Sequence, residues 1–171
     1  MSRGFAIFET AVGECGIAWS DQGIVGFRLP EHDAPSMRRR MATRFNAAES
    51  TPPPHVQDAI DAVVRLMNGG REDLTFVRVD LEGVPEFHQR VYEIARTIPP
   101  GATMTYGEIA GQLGDPGSAR AVGQALGQNP IPVIVPCHRV TAAGGKTGGF
   151  SAPGGAATKL TLLAIEGAQL F

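Results

Sequence analysis

Short apolar runs open the chain. Phe5 to Thr10 is one strand-like run, Gly16 to Ser20 with Ile17 and Trp19 is a second, and Ile24 to Leu29 is a third. Asp21-Gln22-Gly23 supplies turn chemistry between the last two and Pro30 ends the series, so this stretch predicts a β-meander. The period then changes. Residues 34 to 46 read as a helix with Arg38, Arg39 and Arg40 exposed. Three adjacent arginines are usually a solvated helix face, and contact with nucleic-acid phosphates is the sharper alternative. Thr51-Pro52-Pro53-Pro54 is a stiff connector. From His55 to Asn68, the residues Val56, Ile60, Val63, Val64 and Met67 recur at helical spacing, and Gly69-Gly70 stops that helix. Leu74 to Leu81 returns as a predicted strand with Phe76 and Val77 central.

The character changes near Gly83. Pro85 opens a helix at a position where a missing N–H costs nothing. Phe87, Val91, Ile94, Ala95 and Ile98 share one face of it, and Pro99-Pro100-Gly101 ends it. The pattern therefore predicts two domains, an α/β part over 1–84 and a mainly helical part over 85–171. Thr105 and Glu108 have the spacing of a capping box, in which each side chain satisfies an orphan N–H of the other residue. The helix they start runs through Ile109, Ala110 and Leu113. Gly114-Asp115-Pro116-Gly117 is a turn, and Ser118 is the expected N-cap of a second helix through Arg120, Val122, Ala125 and Leu126. Two short helices joined this way resemble a helix-turn-helix. The second helix carries Ala119, Ala121, Gly123 and Ala125, with Arg120 its only cation. Such small residues suit close approach to a groove, and they suit tight helix packing equally well.

Composition narrows the class. Hydrophobic residues make up 43% and charged residues 19%, the balance of a soluble globular protein. No apolar run approaches the ~20 residues of a membrane helix, and the N-terminus shows no long apolar signal segment. A cytoplasmic location without membrane contact is the expectation. The net charge of -2 argues against bulk electrostatic attraction to nucleic acid, while leaving room for a local basic surface. Cys15 and Cys137 make neither a disulfide scaffold nor a structural zinc spacing.

Cys137 has the more unusual setting, Pro136-Cys137-His138-Arg139-Val140. A nucleophilic cysteine needs thiolate character from a nearby base or positive charge. The alternative is a buried structural thiol. In an extended segment, neighbours point to opposite faces, so His138 would reach the sulfur only through a water or a bend. Gly145-Lys146-Thr147 lacks the upstream glycine of a phosphate loop, because Val140 stands there. The last segment, Ala157 to Glu166, reads as a packing helix with an anion at its unfavourable end.

At this point the motifs carry a resemblance. Pro136-Cys137-His138-Arg139-Val140, preceded by Arg120-Ala121-Val122-Gly123 and Asn129-Pro130, resembles the O6-alkylguanine-DNA alkyltransferase family. Thr105-Tyr106-Gly107-Glu108-Ile109-Ala110 and Leu162-Leu163-Ala164-Ile165-Glu166-Gly167 are similar to the same family. The resemblance is dense from about 85 to 167. It implies a ribonuclease-H-like α/β domain followed by a winged-helix-like domain with a helix-turn-helix. It also implies single-use transfer of an alkyl group from O6-alkylguanine in double-stranded DNA bound through the minor groove by a monomer, and leaves O4-alkylthymine open as a further substrate.

The resemblance also implies roles. Cys137 is the acceptor; His138 removes its proton through water and Glu166 orients the histidine. Tyr106 assists base flipping and donates a proton to the leaving guanine. Arg120 fills the vacated stack, on a helix whose Ala121 and Gly123 allow close approach to DNA. Asn129 is the hinge, and Val135, Phe150 and Ser151 line the base pocket. No cofactor or catalytic metal is implied, and Cys15 has no partner for the zinc some relatives carry. Phe150 stands where many members have tyrosine, and Ala152-Pro153 where Gly-Gly is usual. Rival readings are a lesion binder without transfer, which would lack Cys137, a cysteine hydrolase, and a transcription regulator.

Overall fold

The computed structural model describes residues 3–30, 34–143 and 155–168 of the chain. It divides into two compact units, Met1–Leu81 with Pro130–Ile134, and Glu82–Asn129 with Val135–Phe171.

The first unit is a sheet with helices. Strands β1 (Arg3–Thr10), β2 (Gly13–Ser20) and β3 (Gly23–Arg28) form the antiparallel meander. The β1–β2 turn is tied by Thr10 Oγ1, which donates to the Gly13 carbonyl at 2.8 Å and accepts from Val12 N at 3.1 Å. Helix α1 (Ala34–Phe45) then leads directly into β4 (Ala47–Glu49), which pairs parallel to β1 and gives the order β3-β2-β1-β4. Met37, Met41 and Phe45 recur every fourth residue along α1 and bury against Phe5, Ala18 and Val25. Helix α2 (Pro54–Met67) starts where Pro54 gives up no needed N–H, and buries Val56, Ala59, Ile60, Ala62, Val63, Leu66 and Met67.

Two expectations change. The strand predicted over Leu74 to Leu81 does not form. Asp73 Oδ1 accepts from Thr75 N at 2.9 Å and Val77 N donates to Leu74 O at 3.1 Å, so local turns take the backbone groups a strand would need. Only one isolated parallel bridge, Ile24 with Val79, remains, and Phe76 is exposed. Strand β4, conversely, occupies three residues next to the proline connector, too short a stretch to show a period.

In the second unit, α3 (Glu86–Ala95) follows Pro85, which takes the N-cap position, one residue before the helix. Its buried residues are Val91, Tyr92 and Ala95, with Ile98 buried just beyond, while Phe87 and Ile94 are half-buried. Tyr92 belongs to this face because its hydroxyl donates to the Ala125 carbonyl at 2.6 Å, which satisfies the one polar atom of an otherwise apolar contact. Strand β5 (Met104–Thr105) pairs parallel to β6 (Val140–Thr141). Helix α4 (Tyr106–Gln112) ends at Gly114, whose φ of +82° suits glycine. A 3-10 turn over Pro116–Ser118 leads to α5 (Ala119–Gly127), and α6 (Gly155–Ile165) comes last. Ser118 does occupy the N-cap of α5, but its hydroxyl donates back to the Asp115 carbonyl at 2.7 Å and does not cap the helix. No helix among the described residues is long and apolar enough to cross a membrane.

The close fit of α1 on the sheet is tested at Gly26, where an added Cβ would lie 2.2 Å from Phe45 ring carbons. Gly26→Ala is expected to lower stability by about 1–3 kcal/mol through overpacking, read from the urea midpoint. In the other unit, Gly111 is exposed with nothing within 4 Å of an added Cβ. Gly111→Ala should instead stabilise by about 0.5–1 kcal/mol.

Candidate active site in the second unit

The site is aimed by backbone devices. The α4 capping box is complete: Glu108 N donates to Thr105 Oγ1 at 3.0 Å and Thr105 N donates to Glu108 Oε1 at 2.9 Å. This fixes Tyr106 as the first helical residue, directly after β5. The parallel partner β6 is preceded by Cys137 to Arg139. Pairing of β5 with β6 therefore brings the starts of these two segments together.

The extended run expected around Cys137 is in fact bent twice. Pro136 has φ -80° and ψ 66°, the centre of an inverse γ-turn, and Cys137 N donates to Val135 O at 2.7 Å across it. Residues Cys137–Arg139 then form a 3-10 turn, closed by Arg139 N donating to Pro136 O at 2.9 Å. Proline's fixed φ is already that of the γ-turn, which is why the bend falls here. Asn129 Nδ2 donates to the same Val135 carbonyl at 2.9 Å. Asn129 and Val135 thus act together on the backbone that presents Cys137.

Cys137 is a free, buried thiol. Burial pushes its pKa up to about 11, against the opposing pull of the Asn129 amide, the Lys159 charge and the backbone N–H groups of Cys137 and His138. The resting sulfur at neutral pH is therefore S–H, and a base must remove the proton before it can attack.

A candidate for that base is next to it in sequence. His138 is fully buried, and its Nε2 lies 2.9 Å from Glu166 Oε2. Burial lowers its pKa, outweighing the carboxylate, so the ring is neutral at pH 7. A neutral imidazole donates from one nitrogen only, and a carboxylate can only accept. The proton therefore sits on Nε2, and Nδ1, buried without a hydrogen-bond partner among the described residues, carries the lone pair. Glu166 is kept ionised by Arg139, whose Nε donates to Oε1 at 2.9 Å and whose Nη2 donates to Oε2 at 2.7 Å. Arg139 Nη1 also donates to the Ile98 carbonyl at 2.7 Å. Burial alone would raise the Glu166 carboxyl, but Arg139 and His138 together hold it down at about 2.

Tyr106 is half-buried, its pKa raised by burial and by the charge Cys137 would carry. Lys159 Nζ stands 3.5 Å from its hydroxyl and 5.7 Å from its ring centroid. Burial brings the Lys159 pKa down to about 8, with the Cys137 charge opposing. Gly123 of α5 faces the Tyr106 ring, since an added Cβ would lie 3.9 Å from Cδ1 and Cε1. Arg120 is exposed on the same helix and Ala121 is half-buried. Phe150 and Ser151 lie outside the described residues.

Sequence reasoning missed Lys159 and gave Arg139 no role. Lys159, Leu162, Leu163 and Glu166 are all buried at the i, i+3, i+4, i+7 spacing of one helix face. A lysine at a core-facing position of an apolar helix was the available signal. The arrangement as a whole pairs a protonated sulfur with a neutral, oriented base, and a phenol with a lysine of lowered basicity.

Known proteins resemble the chain along most of its length. A family model described as 6-O-methylguanine DNA methyltransferase, DNA binding domain, matches residues 86–168. A methylated-DNA–protein-cysteine methyltransferase of Methanothermobacter thermautotrophicus is 32% identical over 157 residues, 92% of this chain and 81% of the relative. One from Mycolicibacterium paratuberculosis is 54% identical over 90 residues, so that match spans only 53% of each chain. The crystal structure of Mycobacterium tuberculosis OGT in complex with DNA superposes with a TM-score of 0.75 at 36% identity, covering 96% of this chain and 92% of that one. With a relative above 30% identity aligned over most of both sequences, and a mixed α/β structure of the same kind, the chain belongs to the methylated-DNA–protein-cysteine methyltransferase family.

Proposed function

We propose that this chain repairs DNA by moving the alkyl group of O6-alkylguanine onto Cys137, each molecule acting once. The observation that carries the assignment is the buried Cys137 thiol, presented by the Pro136 turn beside a His138 whose proton is committed to Glu166. His138 takes the thiol proton on Nδ1 through a bridging water, since Nδ1 has no direct hydrogen-bond partner among the described residues. The thiolate sulfur attacks the alkyl carbon, an S–C bond forms, and the C–O6 bond breaks with its electron pair going to guanine. Tyr106 gives its own phenol proton to the departing base and is left a phenolate, whose charge the Lys159 ammonium beside it steadies, while the thiol proton stays on His138. A thioether has no good leaving group, so nothing regenerates the acceptor. No step calls for a cofactor.

The partner is duplex DNA carrying the lesion, as suits a chain whose M. tuberculosis relative was crystallised with DNA. A stacked base hides its O6 substituent, so the nucleotide must swing out. Arg120, exposed at the start of α5, is the side chain to fill the gap from the minor groove, and the small Ala121 and Gly123 let that helix approach. Asn129 is the hinge. The Val135 backbone, with Phe150 and Ser151, holds the flipped base. We assign residues 1–84 to a ribonuclease-H-like domain and 85–171 to a winged-helix-like domain, and place the protein in the cytoplasm, where its substrate would be met.

Intact-protein mass spectrometry with excess duplex bearing one O6-methylguanine should show a single added methyl group on Cys137, saturating at one equivalent. Unchanged mass with retained lesion binding would refute transfer. Cys137→Ala should bind the lesion and transfer nothing. Arg120→Ala should slow transfer from duplex more than from the free base, and equal losses on both would refute its role in flipping.

Glu166→Gln withdraws the charge that supports His138 as a base, and should slow transfer by roughly 10²-fold, the scale of general-base catalysis. It also strands buried Arg139, at a cost of about 3–5 kcal/mol at neutral pH. The folded-state pKa of Glu166 is depressed, so its stabilisation is present above the unfolded value of about 4.3. That stabilisation is lost as pH falls through about 2. Denaturation curves of wild type and variant should therefore converge across that window, and a gap that stays constant would show that the pair contributes nothing.

A further inference from the structure

Helix α1 takes no part in the chemistry described, yet its charge is one-sided. Its sequence, APSMRRRMATRF, holds Arg38, Arg39, Arg40 and Arg44 and no acidic residue. Those are four of the chain's 15 Lys and Arg, against 17 Asp and Glu overall. The Met37, Met41 and Phe45 row fixes the helix's rotation against the sheet, and all four arginines are exposed. The Arg44 guanidinium lies over the Phe45 ring, 5.7 Å from its centroid. Arg38 is held by Glu49 at 3.2 Å, both side chains about half exposed at 51% and 50%. Arg39 makes no hydrogen bond or ion pair with another described residue.

A face that served only solubility would mix signs. Apart from Glu49 against Arg38, this one is cationic, built from arginine and not lysine, on a helix seated on the sheet. The planar guanidinium matches phosphate oxygens in a way a lysine ammonium does not. The recognition helix α5 carries Arg120 alone, and α4 contains Glu108 and no cation. Those two helices offer little to a phosphate backbone, which dominates the affinity of most DNA-binding proteins.

We propose that the solvent face of α1 is a second DNA surface, whose arginines neutralise backbone phosphates of duplex DNA without reading sequence. The proposal rests on the functional reading above only in taking duplex DNA as the partner. Phosphate contacts position a protein and carry no base information, so the contribution is the same on damaged and undamaged duplex.

The test is fluorescence anisotropy of the full chain on matched duplexes with and without one O6-methylguanine, between about 50 and 200 mM salt, the range over which phosphate contacts separate clearly. Arg39→Ala/Arg44→Ala should make the slope of log Kobs against log salt shallower by about 1.8, from ~0.9 per lost phosphate contact. Affinity should fall by the same factor on both duplexes. Arg39→Lys/Arg44→Lys keeps the charges and should keep most of the slope, and thermal unfolding of both variants checks the fold. An unchanged slope in the alanine variant overturns the proposal, as does a loss confined to the damaged duplex. So does a wild-type dimer on gel filtration that the alanine pair dissociates, which would give α1 to a second copy of the chain. If wild type leaves Cys137 unmodified in the mass-spectrometric assay, the transfer reading fails separately, and the salt slopes still decide the α1 surface.

Discussion

The ionised carboxylate of Glu166 is the group on which the site depends. It accepts two hydrogen bonds from Arg139 and one from His138, with its side chain only 3% exposed. A buried anion is costly unless it is paired and fully hydrogen-bonded. Here the same bonds that compensate the burial fix a tautomer. While Glu166 is charged, His138 must point its only proton at it and keep Nδ1 open. Arg139, tied also to the Ile98 carbonyl, holds the carboxylate from the other side. The residue that closes the last helix therefore sets the protonation of a turn 28 positions earlier in the chain.

Backbone geometry does the rest. The Pro136 γ-turn and the following 3-10 turn place a thiol and an imidazole on one bent segment, with Nδ1 of the imidazole meeting no direct hydrogen-bond partner among the described residues. The capping box fixes where α4 begins, and the parallel β5–β6 pair ties that start to the cysteine turn. Tyr106 and Lys159, on two further helices, both feel the charge that Cys137 would carry. Burial lowers the lysine to about 8 and raises the phenol, which widens the gap between them and leaves the phenol the firmer holder of its proton.

What the sequence revealed depended on how far apart the interacting residues were. The capping box was legible because both its partners lie within four residues. The meander was legible from its apolar runs and the Asp21-Gln22-Gly23 turn, and the amphipathic α2 from a helical period that runs over several residues. The predicted strand at Leu74 to Leu81 was lost to local turns, which compete on equal terms with pairing when a run lies beyond a sheet's edge. Lys159 and Arg139 were hidden because their partners are 53 and 27 residues away, and no pattern along the chain announces such contacts. The motif around Cys137 marked the right neighbourhood, and the bend that makes it chemically useful came only from the dihedrals of Pro136.

The buried sulfur has a further consequence for the life of the molecule. A nucleophile that can be spent once must survive unspent until it is needed. Soluble oxidants, and electrophiles in general, react with exposed thiolates. With its pKa pushed up to about 11, Cys137 is almost entirely thiol at rest and shielded from solvent, so casual oxidation to a sulfenic acid is slow. The protein's useful lifetime is then set by encounters with its target and not by background chemistry, and the number of intact copies in a cell becomes a direct count of remaining repair capacity.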